Sequence, residues 1–164
     1  MNNQEKNQTE TIPMERLDPN FKYEVASQPG GENITHCFSC GVCTAGCPIT
    51  EIDDEYNPRK IIRMVLLGMK EKVLSSDTIW LCSLCYRCYA RCPQNVKFTD
   101  IMSVLRDMAI KEDYVSHSFL EHMEEIDRIS QKVRRGMVKA VIGRKREKFE
   151  EDKKGLASRV VGEV

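Results

Sequence analysis

Two copies of one cysteine spacing dominate the chain: Cys37, Cys40, Cys43 and Cys47 before Pro48, then Cys82, Cys85, Cys88 and Cys92 before Pro93. Cysteines three apart in a tight curl share one side of it, so each triplet can offer its thiolates to one centre. The fourth cysteine cannot follow, because a residue that precedes proline is pushed out of helical geometry toward extended backbone. Cys47 and Cys92 should therefore point away from their own triplets. Such a chain must bring two distant segments together before its thiolates are satisfied.

Each run is similar to the C-x2-C-x2-C-x3-C-P run of bacterial two-cluster ferredoxins, in which the fourth cysteine ligates the other cluster. The resemblance implies two [4Fe-4S] clusters with crossed ligation. Cys37, Cys40, Cys43 and Cys92 would hold the first, and Cys82, Cys85, Cys88 and Cys47 the second. Each cluster then closes a loop of about 50 residues, whose ordering would otherwise cost on the order of several kcal/mol of chain entropy. Metal and fold should assemble together, leaving the middle third largely unfolded when iron is stripped. Disulfides are disfavoured, since Met1-Asn2-Asn3-Gln4-Glu5-Lys6 opens without the apolar segment of a secretory signal. Zinc knuckles could use C-x2-C pairs, but tetrahedral zinc requires neither a third cysteine at the same interval nor a fourth before proline.

A formal net charge of zero on 164 residues argues against general attraction to nucleic acid and fits a soluble, cytoplasmic protein of one domain plus tails. The longest apolar stretch, around Met64 to Met69, is far short of the roughly 18 residues of a membrane span.

Residues 1–29 are polar and proline-bearing and read as a flexible N-terminal arm, with Leu17, Phe21, Tyr23 and Val25 as a strip for docking on a partner. Pro29-Gly30-Gly31 turns the chain into the first run. Between the runs, Asn57 as N-cap and Pro58 at the first helical position start a helix. Ile61, Ile62, Val65, Leu66, Met69 and Val73 continue it at helical spacing. Ser75-Ser76-Asp77 ends it and caps a segment that carries Ile79, Trp80 and Leu81 into Cys82, with Trp80 as a core anchor. After Pro93, Thr99 or Asp100 caps a helix through Ile101, Val104, Leu105 and Met108. A last amphipathic helix aligns Phe119, Leu120, Met123, Ile126, Ile129 and Val133 and ends near Gly136. No stretch alternates as a strand would. The expected fold is mostly α: an α-helical ferredoxin dicluster domain over 30–115, the arm at 1–29 and a helical, basic extension over 116–164.

On that helical background, C-F-S-C-G-V-C-T-A-G-C-P and W-L-C-S-L-C-Y-R-C-Y-A-R-C-P resemble the small C-type component of heterodisulfide reductases over roughly residues 30 to 115. Related modules serve succinate, glycerol-3-phosphate and glycolate-oxidising enzymes. No plant-type cysteine group stands upstream as in a succinate dehydrogenase iron-sulfur subunit, and no Cys-Cys-Gly segment resembles the catalytic B-type subunit. The resemblance implies a hetero-oligomer in which this chain relays single electrons from a flavin-containing A-type subunit to a Cys-Cys-Gly B-type subunit that reduces a disulfide. Two rivals stand beside it: the iron-sulfur subunit of a flavin-dependent dehydrogenase, and a cluster-bearing regulator that binds nucleic acid through a basic tail.

Two clusters would consume all eight cysteines, so no thiol remains for nucleophilic chemistry and no catalytic residue is expected. Arg87 and Arg91 lie inside the second run while the first carries no charge, which predicts a higher potential for the second cluster. His36, His117 and His122 read as structural or surface residues, and the methionines as helix packing. Lys132, Arg134, Arg135, Lys139, Arg144, Lys145, Arg146 and Lys148 fall within 17 residues, ahead of Glu150, Glu151 and Asp152, and read as a solvated helix.

Overall fold

The computed structural model describes residues 12–142, and among these every regular element is an α-helix or a 3-10 turn. The chain divides into two units, Met1–Val115 and Ser116–Val164. In the first, α1 (Phe21–Ala26), α2 (Val42–Ala45), α3 (Pro58–Leu66), α4 (Lys70–Leu74) and α5 (Arg87–Arg91) precede α6 (Phe98–Lys111). α6 is the centre of the core: Ile101, Met102 and Leu105 are fully buried, and α1, α4, α5 and the 3-10 turn Asp77–Ile79 pack around it. Each such aliphatic side chain contributes at most about 1.5–3 kcal/mol of transfer free energy. The core is thus built beside the cysteine runs, and α6 joins their supports.

α3 begins as the sequence predicts. The Asn57 side chain accepts from Lys60 N at 3.1 Å, and Pro58 occupies the first turn. Thr44 of the first run donates to Asn57 Oδ1 at 3.0 Å and accepts from Arg59 N at 3.1 Å, so one cap fastens α2 to α3. The single helix expected through Val73 is instead two. Gly68 sits at φ 78 between α3 and α4, where Asp18 N donates to its carbonyl at 2.8 Å. A Cβ at Gly68 would fall on the Asp18 carbonyl, so the close approach requires glycine. Val73 is buried like the apolar residues of α3, so the spacing of apolar positions does not reveal the break.

Other local expectations also change. Neither Thr99 nor Asp100 caps α6; Lys97 holds the cap position in left-handed conformation at φ 56, without a side-chain cap bond. Thr99 is buried instead, facing the cysteines. Phe21 and Val25 are not held out for a partner: both are fully buried in the chain's own core, while Tyr23 is exposed. Lys70 Nζ fastens that segment, meeting Glu24 at 2.8 Å and Glu112 at 2.9 Å. Partial burial opposes the Lys70 ammonium, but the two carboxylates outweigh it and hold the group above the ordinary lysine range.

The second unit contains α7 (His117–Ile142), which runs through Gly136 rather than ending there; a Cβ at that glycine would meet open space. Lys132, Arg134, Arg135 and Lys139 are exposed on it. Arg144, Lys145, Arg146, Lys148 and the acidic patch at Glu150 lie outside the described residues, as does the asparagine-rich start of the arm. No helix among the described residues is long and apolar enough to cross a membrane. His36, His117 and His122 are all exposed.

Candidate metal centre

The two runs repeat one backbone shape. In the first, Ser39 and Gly41 have φ of 59 and 84; in the second, Leu84 and Tyr86 have φ of 48 and 61. Left-handed residues therefore flank Cys40 and Cys85 on both sides. Alternation of this kind is how a main chain forms concavities that bind anions, iron-sulfur sites included. The third cysteines, Cys43 and Cys88, then fall on the second residue of α2 and of α5. Cys92 leaves α5 in extended conformation at ψ 115, as its following proline demands.

The side chains surround two cavities. One is lined by Cys37, Cys40, Cys43 and Cys92, with Cys88 at its wall. The other is lined by Cys47, Cys82, Cys85 and Cys88. Cys88 and Phe98 border both cavities and form the partition between them. None of the eight cysteines is in a disulfide. No three His, Cys, Asp or Glu side chains among the described residues converge on a point fit for a single ion. The thiols ring cavities instead, which is the donor arrangement a polynuclear cluster needs.

The chemistry of these walls fits an iron-sulfur group. Burial pushes the Cys43 and Cys88 thiols up, so their thiolates need a cation to be stable there. Ser39 N donates to Cys37 Sγ and Val96 N to Cys92 Sγ, each at 3.4 Å. At the second cavity the Thr99 hydroxyl lies 3.2 Å from Cys88 Sγ. Tyr56 lines the same cavity, fully buried, and its hydroxyl oxygen lacks a hydrogen-bond partner. Burial above all, and then the Cys82, Cys47 and Cys88 thiols, push its phenol upward; Cys82 stands close without meeting hydrogen-bond geometry.

The charge asymmetry read from the runs does not survive folding. Arg87 does line the second cavity, but Arg59 of α3 lines the first. Arg91 packs over Gly46, where a Cβ would meet its guanidinium. Each cavity therefore has one arginine at its edge, and Arg59 was invisible because it lies 12 residues beyond the last cysteine of its run. A second group missed in the sequence is Arg106. From α6 it donates to the carbonyls of Ile79 at 2.8 Å, Trp80 at 3.1 Å and Cys82 at 2.8 Å, with its guanidinium 5.5 Å from the Trp80 ring centre. It shapes the entry into the second run. Only its neighbours in space, not in sequence, distinguish it from a surface arginine.

Residues 33–96 match the family model described as a 4Fe-4S dicluster domain. With eight cysteines in two concave runs, that stretch is a dicluster domain holding two [4Fe-4S] clusters. The chain is similar to proteins named as C-type iron-sulfur components of heterodisulfide reductases. It is 41% identical over 108 residues, 62% of this chain and 57% of the relative, to the second form of the C-type iron-sulfur component of the CoB--CoM heterodisulfide reductase of Methanocaldococcus jannaschii. Over 100 residues, 61% of this chain and 53% of the relative, it is 35% identical to the C-type component of the H(2):CoB-CoM heterodisulfide,ferredoxin reductase of Methanothermobacter marburgensis. The C-type component of the Ferredoxin:CoB-CoM heterodisulfide reductase of Methanosarcina acetivorans is 44% identical over 84 residues, 51% of this chain and 33% of the relative. The chain thus spans about half the length of the first two of these relatives.

Proposed function

We infer that this chain is an electron-transfer subunit of a heterodisulfide reductase-type complex, carrying single electrons from a flavin-containing A-type subunit to a Cys-Cys-Gly B-type subunit. In this reading Cys37, Cys40, Cys43 and Cys92 hold the first cluster, and Cys82, Cys85, Cys88 and Cys47 the second. The observation that supports it is the make-up of the cavities, each of which draws its fourth cysteine from the opposite run. When bound, each cluster supplies a one-electron couple whose potential the protein adjusts.

The chain's own residues do the rest. Arg59 and Arg87 at the cavity edges, with the amides of Ser39 and Val96, favour the more negative, reduced state of what they face. Ile61, Ile62 and Val65 of α3 bury an apolar face behind the runs and keep water from that side. Cys88 and Phe98, common to both walls, provide a protein path between the two sites. Ligation consumes every cysteine of the chain, so the chemistry on a disulfide falls to the partner. Residues 30–115 are the conducting part in this reading. Within 116–164, α7 with its exposed Lys132, Arg134, Arg135 and Lys139 is a helical, basic extension read as solvated.

Anaerobic purification from the native cell, with iron analysis and identification of attached chains, tests the proposal. About eight irons per chain, a flavoprotein and a Cys-Cys-Gly protein are expected. A flavin-dependent dehydrogenase as the sole partner, or zinc in place of iron, would overturn it.

A further inference from the structure

Tyr56 is fully buried, and its hydroxyl has no hydrogen-bond partner. Both ends of its peptide unit are engaged: its N–H donates to the Asp53 carbonyl at 3.2 Å, and its carbonyl accepts from Thr50 Oγ1 at 2.9 Å. The next residue, Asn57, caps α3 and is fastened to Thr44 of the first run. The ring therefore has little freedom to turn its oxygen elsewhere. The thiols that act on its hydroxyl are those of Cys82, Cys47 and Cys88, all lining the second cavity with it. Native proteins rarely bury a hydroxyl without a partner, because desolvating it is unfavourable unless something replaces the lost water. A phenylalanine would fill the same space without that penalty. The tyrosine makes sense when the cavity holds an acceptor, and a cluster of thiolates and sulfides presents only acceptors.

We propose that Tyr56 donates a hydrogen bond to sulfur of the second cluster and raises that cluster's reduction potential relative to the first. The inference rests on the ligand assignment given under Proposed function. A neutral phenol is a donor at ordinary pH. Its bond to sulfur strengthens when an added electron makes the sulfur more negative, so the reduced state gains more than the oxidised one. Among the described residues, no tyrosine lines the first cavity. Tyr56 is thus a positioning and tuning residue rather than a ligand, and it distinguishes two sites whose backbones are alike.

The test is an anaerobic redox titration of the full chain, monitored by electron paramagnetic resonance, for the wild type and Tyr56→Phe. The signals are assigned to the two sites by the exposed cysteine of each, with Cys40→Ser altering the first and Cys85→Ser the second. Tyr56→Phe is expected to keep its iron and shift the second-site equilibrium toward oxidation on the order of tenfold, about 59 mV for one electron. The first-site midpoint stays unchanged. With iron retained, two unmoved midpoints, or a shift confined to the first site, overturn the inference and leave the ligand assignment standing. Should Tyr56→Phe lose a cluster, a ring-fluorinated tyrosine at position 56, a stronger donor of the same shape, must raise the second midpoint; no rise overturns the inference. A wild-type chain with far fewer than eight irons defeats the ligand assignment itself, and the inference with it.

Discussion

At the first cavity the amides of Ser39 and Val96 donate to Cys37 and Cys92, and Thr44 presents both its amide and its hydroxyl to Cys43. At the second, the Thr99 hydroxyl and the Tyr89 amide lie against Cys88, and Tyr56 adds a buried hydroxyl in the cavity wall. The two runs share their left-handed turns, their helix starts and one arginine each at the cavity edge. The difference lies in what can be altered. Amide donors persist through almost any substitution, and both sites have them. The Tyr56 hydroxyl, found only in the second cavity's wall, is lost by a single change, so the second site can be retuned without rebuilding the chain.

The strongest way to break the comparison is to remove the metal. If each site borrows a cysteine from the other run, stripping iron anaerobically should abolish the cooperative fold of the first unit, with a large loss of helical circular dichroism. Retention of the native spectrum would mean that α6 and its neighbours stand without the clusters.

Smaller effects separate the supports of the two runs. Arg106→Ala leaves the carbonyls of Ile79, Trp80 and Cys82 without their donor and should destabilise the holo-protein by about 2–3 kcal/mol. Asn57→Ala removes the cap that ties α3 to the first run, and should cost about 1 kcal/mol. Denaturant unfolding followed by cluster absorbance ranks the pair. The reverse order would show that the first run depends more on its helix than the second does on α6.

The turns sharpen the comparison further. A Cβ at Gly41 would meet Arg59 only at ordinary contact distance, 3.6 Å, so Gly41→Ala adds left-handed strain alone, about 1 kcal/mol. Tyr86 already bears that strain in the second run. Tyr86→Gly should change stability by no more than about 0.5 kcal/mol, since released strain is offset by glycine's entropy and the lost contact with the Tyr89 ring. The same unfolding measurement decides, and equal losses from both variants would contradict the shared turn.

The cysteine spacing and the Asn57-Pro58 cap were legible in the sequence because their rules are local: an interval, a residue before proline, a side chain reaching three residues on. The absence of strands among the described residues was equally legible, since no segment alternates. What escaped depends on approach in space. Gly68 breaks a helix because Asp18 comes against it, and Asp18 is 50 residues earlier. Phe21 and Val25 lie in a short helix with too few apolar positions to show a period, yet the core closes over them. Thr99 read as a cap because threonine before an apolar run commonly is one; the left-handed Lys97 takes that position and leaves the hydroxyl for Cys88. Arg59, Arg106 and Tyr56 belong to segments outside both runs, and no spacing rule connects them to a cysteine.

Crossed ligation is the centre of the account, and paired ligand substitutions test it most directly. Paramagnetic resonance and iron content would be compared anaerobically for Cys92→Ser, Cys47→Ser, Cys40→Ser and Cys85→Ser. The account predicts that Cys92→Ser disturbs the same signal as Cys40→Ser, although Cys92 lies in the second run, and that Cys47→Ser disturbs the same signal as Cys85→Ser. If Cys92→Ser instead disturbs the signal that Cys85→Ser disturbs, each run holds its own cluster and the account is contradicted.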